Sequence, residues 1–243
     1  MTRTEELAQA LAALRERVAR AAEAAGRHSD DIELLPITKF FPASDIEILS
    51  DLGCRAFGES RDQEASGKVA DLAGRIPAET RWHMVGQIQR NKARSIAGWA
   101  YAVHSVSSAK VITALGRGAA EALEEGTRTA PLAVYLQLSL DGDESRGGVD
   151  IGKSGQIDEL CAAVTAAAGL EFAGLMAIPP VAAEPGEAFA RLEAELVRVQ
   201  KHHQHRLGLS AGMSGDLESA VQHGSTCVRV GTALMGSRPL TSP

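Results

Sequence analysis

Apolar positions along the chain change period at regular intervals. Leu7, Leu11, Leu14 and Val18 recur every three or four residues, so residues 5–25 read as one amphipathic helix, closed by Gly26. The apolar run Ile32–Thr38 then reads as a buried strand with Lys39 at its end, although Pro36 removes a ladder donor from it. Ser44 is expected to cap a helix from about Asp45 to Leu52, with Ile46 and Leu49 facing inward. From there short apolar runs alternate with helical patterns. Strands are expected at Cys54–Phe57, Trp82–Val85, Tyr101–Ser105, Leu132–Leu138, Glu171–Met176, Leu207–Leu209 and Thr226–Val230. Helical stretches separate them, the last being Asp216–Gln222.

Strands alternating with helices imply parallel βαβ units. Eight such units in 243 residues predict an α/β fold, a closed (β/α)8 TIM barrel with an extra N-terminal helix, as one domain over residues 1–243. A doubly wound open sheet is the rival. It would need a glycine-rich turn after the first strand, and Thr38–Pro42 is not one.

In a barrel, the C-terminal strand ends share one mouth, where sites form, and phosphate sites cluster after the last two strands. The residues expected at that mouth include Lys39, Glu59, Ser60, Gly86, Gln87, His104, Ser105, Met176, Ser210 and Arg229. Leu209–Gly215 and Gly231–Thr232 supply glycines and hydroxyls suited to an anion. A lysine ending a first strand between apolar neighbours is a nucleophile suited to an aldehyde, giving a Schiff base. The alternative is a lysine that snorkels to solvent.

Several segments together carry a family resemblance. They are Ile37–Lys39, Phe57–Arg61, Trp82–Lys92, His104–Val106, Gly174–Met176, Leu209–Ser214 and Val228–Thr232. In this order the chain resembles the pyridoxal phosphate homeostasis protein family, the YggS or PROSC family. The resemblance implies a fold-type III barrel, similar to the N-terminal domain of alanine racemase. It implies pyridoxal 5'-phosphate (PLP) held on Lys39 as an internal aldimine, with Ser210, Met213, Ser214, Gly231 and Thr232 around the phosphate. Arg229 would face the pyridine nitrogen, and Ser60, His83, Ser105 and Met176 would complete the cofactor pocket. Three positions depart from the family pattern: Ser60 stands for asparagine, Gln87 for histidine, and Arg146 for a lysine in the loop after the fifth strand.

The resemblance makes the chain a PLP carrier acting in cofactor homeostasis, with PLP-dependent apo-enzymes as further partners. The alternative is a weak PLP-dependent amino-acid racemase. Two features favour binding over catalysis. A cation at the pyridine nitrogen weakens the ring as an electron sink. The opposite-face tyrosine of alanine racemase comes from a second domain, and the chain ends soon after its last expected strand.

Other signals narrow the class. A net charge of -6 argues against a nucleic-acid surface. No apolar stretch approaches a membrane span, and no signal peptide is visible, so a cytoplasmic location is expected. Cys54, Cys161 and Cys227 lack metal or disulfide spacing. His202 and His205 read as the cationic end of a helix rather than metal ligands. Either a monomer or a loose dimer fits the charge and helix patterns.

Overall fold

The computed structural model describes residues 1–180 and 183–237. Its strands are β1 (Glu33–Pro36), β2 (Ala56–Glu59), β3 (Arg81–Met84), β4 (Ala102–Val106), β5 (Leu132–Ser139), β6 (Val149–Asp150), β7 (Leu170–Ala177), β8 (Gly208–Ser210) and β9 (Cys227–Val230). Its helices are α1 (Arg3–Ala24), α2 (Ala43–Asp51), α3 (Asp62–Asp71), α4 (Ala93–Trp99), α5 (Ala109–Glu124), α6 (Ser154–Ala166), α7 (Pro185–Gln200), α8 (Leu217–Gln222) and α9 (Thr232–Met235).

Eight parallel strands run in the order β1-β9-β8-β7-β5-β4-β3-β2, with β6 paired to β5 off this path. The two ends of the path meet through one bridge, Ile37 with Gly58, and Thr38 N–H donates to Gly58 O at 3.0 Å. The result is a nearly closed (β/α)8 barrel. Pro36 explains why the seam is thin. Ile37 N–H donates to Val230 O and Thr38 N–H to Gly58 O, so even-numbered residues of this strand turn their nitrogens toward β2. Pro36 has no hydrogen to offer on that side.

The apolar faces sort into layers. Between the strands and α4 to α7 lies one buried cluster that includes Ile96, Leu115, Val134, Leu136, Phe172 and Leu192. A second joins α1, α2 and α8 to the outer face of the seam through Leu7, Leu14, Ile46, Phe57, Val221 and Val228. A third and smaller one, Leu35, Ile37, Ala56 and Cys227, fills part of the lumen.

The helix in front of the barrel braces this seam. Thr2 and Glu5 form a reciprocal capping box that starts α1. Arg3 donates to Asp45 Oδ2 of α2 at 2.7 Å and to Met235 O of α9 at 3.0 Å. Arg17 pairs with Glu218 of α8 at 2.8 Å. These are the helices next to the first and last strands, which carry Lys39 and the Gly231 turn.

The expected alternation matches the observed barrel, with differences in detail. Ser44 is not a cap: α2 begins at Ala43, its N-cap residue is Pro42, and no side chain caps it. Ser44 is already the second residue of the helix, so its hydroxyl cannot hold the N-cap position. The second strand is shifted to Ala56–Glu59, because its pairing partner Arg81–Met84 sets the register. The short strand β6 and helix α9 carry too few residues for a periodic signal.

Candidate functional site

Beyond Thr38 the chain leaves the sheet and turns sharply at Lys39 and Phe40. Phe40 has φ 69°, in the left-handed region that a bulky side chain disfavours. Such a backbone costs about 1–3 kcal/mol and persists only where neighbours hold it. Here they do. Phe40 N–H donates to Glu64 Oε1 at 2.6 Å. Lys68 of α3 donates to that same Glu64 oxygen at 2.7 Å, to Thr38 O at 3.0 Å and to Glu59 Oε1 at 2.8 Å. Thr38 Oγ1 donates to Glu59 Oε1 at 2.6 Å. Lys39 therefore sits between two residues clamped by one buried charged cluster. Its own Nζ lies 6.0 Å from the Phe40 ring centroid.

Glu59 has no exposed surface, and its Oε2 is buried without a hydrogen-bond partner. Burial pushes its carboxyl up from the ordinary range; the Lys68 ammonium and the Thr38 hydroxyl act against that rise. Sequence reading did not find Lys68, Glu64 or the Phe40 backbone. Glu64 and Lys68 are four apart on a helix, a spacing that usually marks a solvated pair.

Across the seam, the turns after β8 and β9 lie against the end of β1. Ile37 N–H donates to Val230 O at 2.9 Å, and a methyl group placed on Gly231 would sit 3.6 Å from Ile37 Cβ. Ser214 Oγ accepts from Ala233 N–H at the start of α9, at 3.2 Å. Met213 N–H donates to Asp216 Oδ1 at 2.6 Å, and Gly212 O accepts from Arg229 N–H at 2.9 Å. Gly212 has φ 91°, and a Cβ there would come within 2.6 Å of Ala220 Cβ. Only glycine lets this loop fold onto α8. Met213, Ser214, Gly231 and Thr232 thus share one corner of the mouth, beside the strand that presents Lys39.

Ser60 and Ser105 occupy neighbouring positions on that rim. A Cβ on Gly86 would lie 2.1 Å from Ser60 O, and Ser105 Oγ donates to Gly86 O. Met176, 1% exposed, stands in register with Gln137 and Ser210 near the strand ends.

Arg229 and Ser210 are turned into the lumen. Arg229 donates through Nη1 to Ser210 Oγ at 2.6 Å and through Nη2 to Ala177 O at 3.0 Å. Its guanidinium thus lies level with the ends of β7 and β8. Burial pushes its pKa down from the ordinary arginine value. Ser210 Oγ also meets His104 Nδ1 at 2.7 Å, and His104 Nε2 meets His83 Nδ1 at 2.9 Å. Burial is the main cause holding both imidazoles neutral, with His83 lowered to about 3 and His104 well below the usual value. His83 is therefore joined to Arg229 through His104 and Ser210, and it also lines a cavity at the opposite mouth. Tyr101 and Tyr135 line that opposite mouth too.

The C-terminal mouth thus offers a primary amine on one side, hydroxyls and glycine-rich backbone across the seam, and a buried guanidinium near the ends of β7 and β8. That donor set fits a phosphorylated heteroaromatic aldehyde. The amine suits the carbonyl, the turns after β8 and β9 suit the phosphate, and the guanidinium suits an unprotonated ring nitrogen.

Comparison with known proteins agrees. A family model described as alanine racemase, N-terminal domain, matches residues 9–239. The pyridoxal phosphate homeostasis protein of Mycobacterium tuberculosis is 58% identical over 248 residues, which cover 99% of this chain and 96% of that protein. The structure of PipY from Synechococcus elongatus with PLP bound is similar at a TM-score of 0.78 and 31% identity, covering 95% of this chain and 100% of that one. Alanine racemase from Corynebacterium glutamicum shares the fold at a TM-score of 0.65 and 16% identity, covering 95% of this chain and 60% of that one.

Proposed function

The chain belongs to the family of pyridoxal phosphate homeostasis proteins, and on that premise we propose that it binds PLP on Lys39 and holds it for release within the cell. One observation carries this reading. The strand bearing Lys39 is hydrogen-bonded at Val230 to the strand whose end forms the Gly231–Thr232 turn. That pairing supports a lysine and an anion-binding turn on adjacent strand ends.

When bound, the cofactor supplies an aldehyde carbon open to a primary amine and a conjugated ring with a near-visible absorbance. The protein's own residues do the rest. Lys39 presents the amine from a turn that Lys68, Glu59 and Glu64 keep rigid. Ser214 and the backbone of Gly231 and Thr232 orient the phosphate. Arg229 would hold a permanent cation beside the pyridine nitrogen, which disfavours a proton there. A ring so held is a weak electron sink, which favours holding over turnover. Racemisation also needs an acid or base on the face opposite Lys39. Tyr101 and Tyr135 both line the other end of the barrel. Apo-enzymes that need PLP are the recipients this reading implies.

The test is direct. Purified protein mixed with PLP should gain a near-visible absorbance that free PLP at the same concentration lacks. Borohydride should then leave the cofactor's mass on the Lys39 peptide, and Lys39→Ala should lose both signals. Transfer is read by mixing the loaded protein with an apo-enzyme and following recovered activity. A protein that stays colourless with PLP, or cofactor mass mapped to another lysine, defeats the proposal.

A further inference from the structure

The N-terminal mouth of the barrel, away from Lys39, holds a polar cavity of about 370 Å3. His83 forms part of its wall. The residue is 2% exposed, and its Nε2 is buried with no hydrogen-bond partner.

The lumen chain decides what that nitrogen offers. Arg229 is a permanent donor and gives a hydrogen to Ser210 Oγ. Ser210 then directs its own hydrogen to His104 Nδ1. A neutral His104 so bonded carries its proton on Nε2 and donates to His83 Nδ1. A neutral His83 is left with its proton on Nε2. The orphaned nitrogen is therefore an N–H donor buried in the cavity wall, and a buried donor without an acceptor is costly.

The nearest charged acceptor is Glu33 Oε2, 3.9 Å away. That is too far for a direct hydrogen bond. Burial pushes the Glu33 carboxyl up from the ordinary range, and Arg81, bonded to its other oxygen, opposes that rise and favours the ionised form. An occupant must accept from His83 and donate to Glu33 through the same small space. An oxygen about 2.8 Å from each would do so. A carboxylate or phosphate can accept but has no proton to give, and it meets the charge of Glu33. An ammonium can donate but cannot accept. A hydroxyl does both.

The rest of the cavity suits more hydroxyls. Tyr101, 44% exposed, and Tyr135 add two phenols and flat faces. A Cβ on Gly208 would fall 3.0 Å from the Tyr135 hydroxyl and 2.9 Å from Thr226 Oγ1, so glycine keeps this space open.

We propose that the N-terminal mouth is a second binding site, for a small neutral polyhydroxylated molecule, seated by one hydroxyl between His83 Nε2 and Glu33 Oε2. The site lies at the end of the barrel opposite Lys39, and its floor is hydrogen-bonded through His104 and Ser210 to Arg229.

The experiment is a histidine 15N titration of the full chain loaded with PLP, using glycerol, erythritol and myo-inositol as probes. The His83 Nε2 resonance should shift and saturate with a Kd of about 1 mM or tighter for the best of the three. The exposed His202 should not move. Glu33→Gln, which removes the charge and keeps the shape, should weaken binding about tenfold or more. His83→Phe should abolish it, and Glu33→Gln should leave the PLP absorbance in place. No saturating shift with any polyol up to about 100 mM would mean that only water sits there, and would overturn the proposal. Acetate or methylammonium saturating more tightly than every polyol would overturn it as well, by assigning the site to an ion.

Discussion

Replacing Lys68 by methionine tests the support beneath the Lys39 turn. Methionine keeps much of the stem and drops the ammonium. Glu59, with no exposed surface, then keeps only the Thr38 hydroxyl, while Thr38 O and Glu64 lose their shared donor. Removing one partner of a buried ion pair costs about 3–5 kcal/mol. The Lys68 side chain is 10% exposed, so water can reach part of the vacated space, and the lower end is expected. For a chain of 243 residues the unfolding entropy is about 0.5 kcal/mol per degree, so about 3 kcal/mol lowers Tm by about 6 °C.

The pH dependence has a definite sign. Burial already raises the Glu59 carboxyl above its unfolded value, and the variant loses the ammonium that is the main force opposing this rise. A raised carboxyl weakens the fold above its folded pKa, and the penalty fades as pH falls through that value toward the unfolded one. The deficit of Lys68→Met should therefore be largest near pH 8 and shrink by about pH 5. Urea denaturation at the two pH values measures it. Adding Glu59→Gln to Lys68→Met should recover more than half of the loss, since the stranded charge is gone. A deficit under about 1 kcal/mol at pH 8, or one that grows on acidification, would refute the reasoning.

Other expectations are sharper and simpler. Gly174 has φ 144°, and a Cβ there would lie 1.9 Å from Gly208 O, so Gly174→Ala should cost about 3 kcal/mol and splay β7 from β8, read by thermal melting. The neutral imidazoles of His83 and His104 refuse protons that the unfolded chain accepts below about pH 6.5. Stability should therefore fall on acidification, and His83→Phe should flatten the slope between about pH 6 and about pH 4 by about 1.4 kcal/mol per pH unit, seen by denaturation at stepped pH. Asp45→Ala should unfasten Arg3 from α2 at a cost of about 1 kcal/mol, a drop in Tm of about 2 °C.

Most of the barrel was legible because its signals are local. A period near two against a period near 3.6 separates strands from helices wherever the runs are long, as at Leu132–Leu138 and Leu7–Val18. Lys39, Gly231, Thr232 and Arg229 could be placed at or near strand ends for the same reason. A short element gives no period, so β6 and α9 leave no sequence signal, and the Ser44 hydroxyl expected to cap α2 lies one residue inside a helix that no side chain caps.

The amino-acid order by itself determined the eight βα units, the lysine after the first of them, and the glycine turns after the last two. Only the folded chain decided which polar groups meet in the lumen. His83 and His104 are 21 residues apart, and His104 and Ser210 are 106 apart, yet they form one line of hydrogen bonds ending on Arg229. Lys68 likewise looks like a surface charge until α3 folds it over Thr38 and Glu59. The physical reason is range. Periodicity is set by the nearest few residues, whereas closing a barrel chooses partners from strands far apart in sequence, and burial then gives each polar contact its weight.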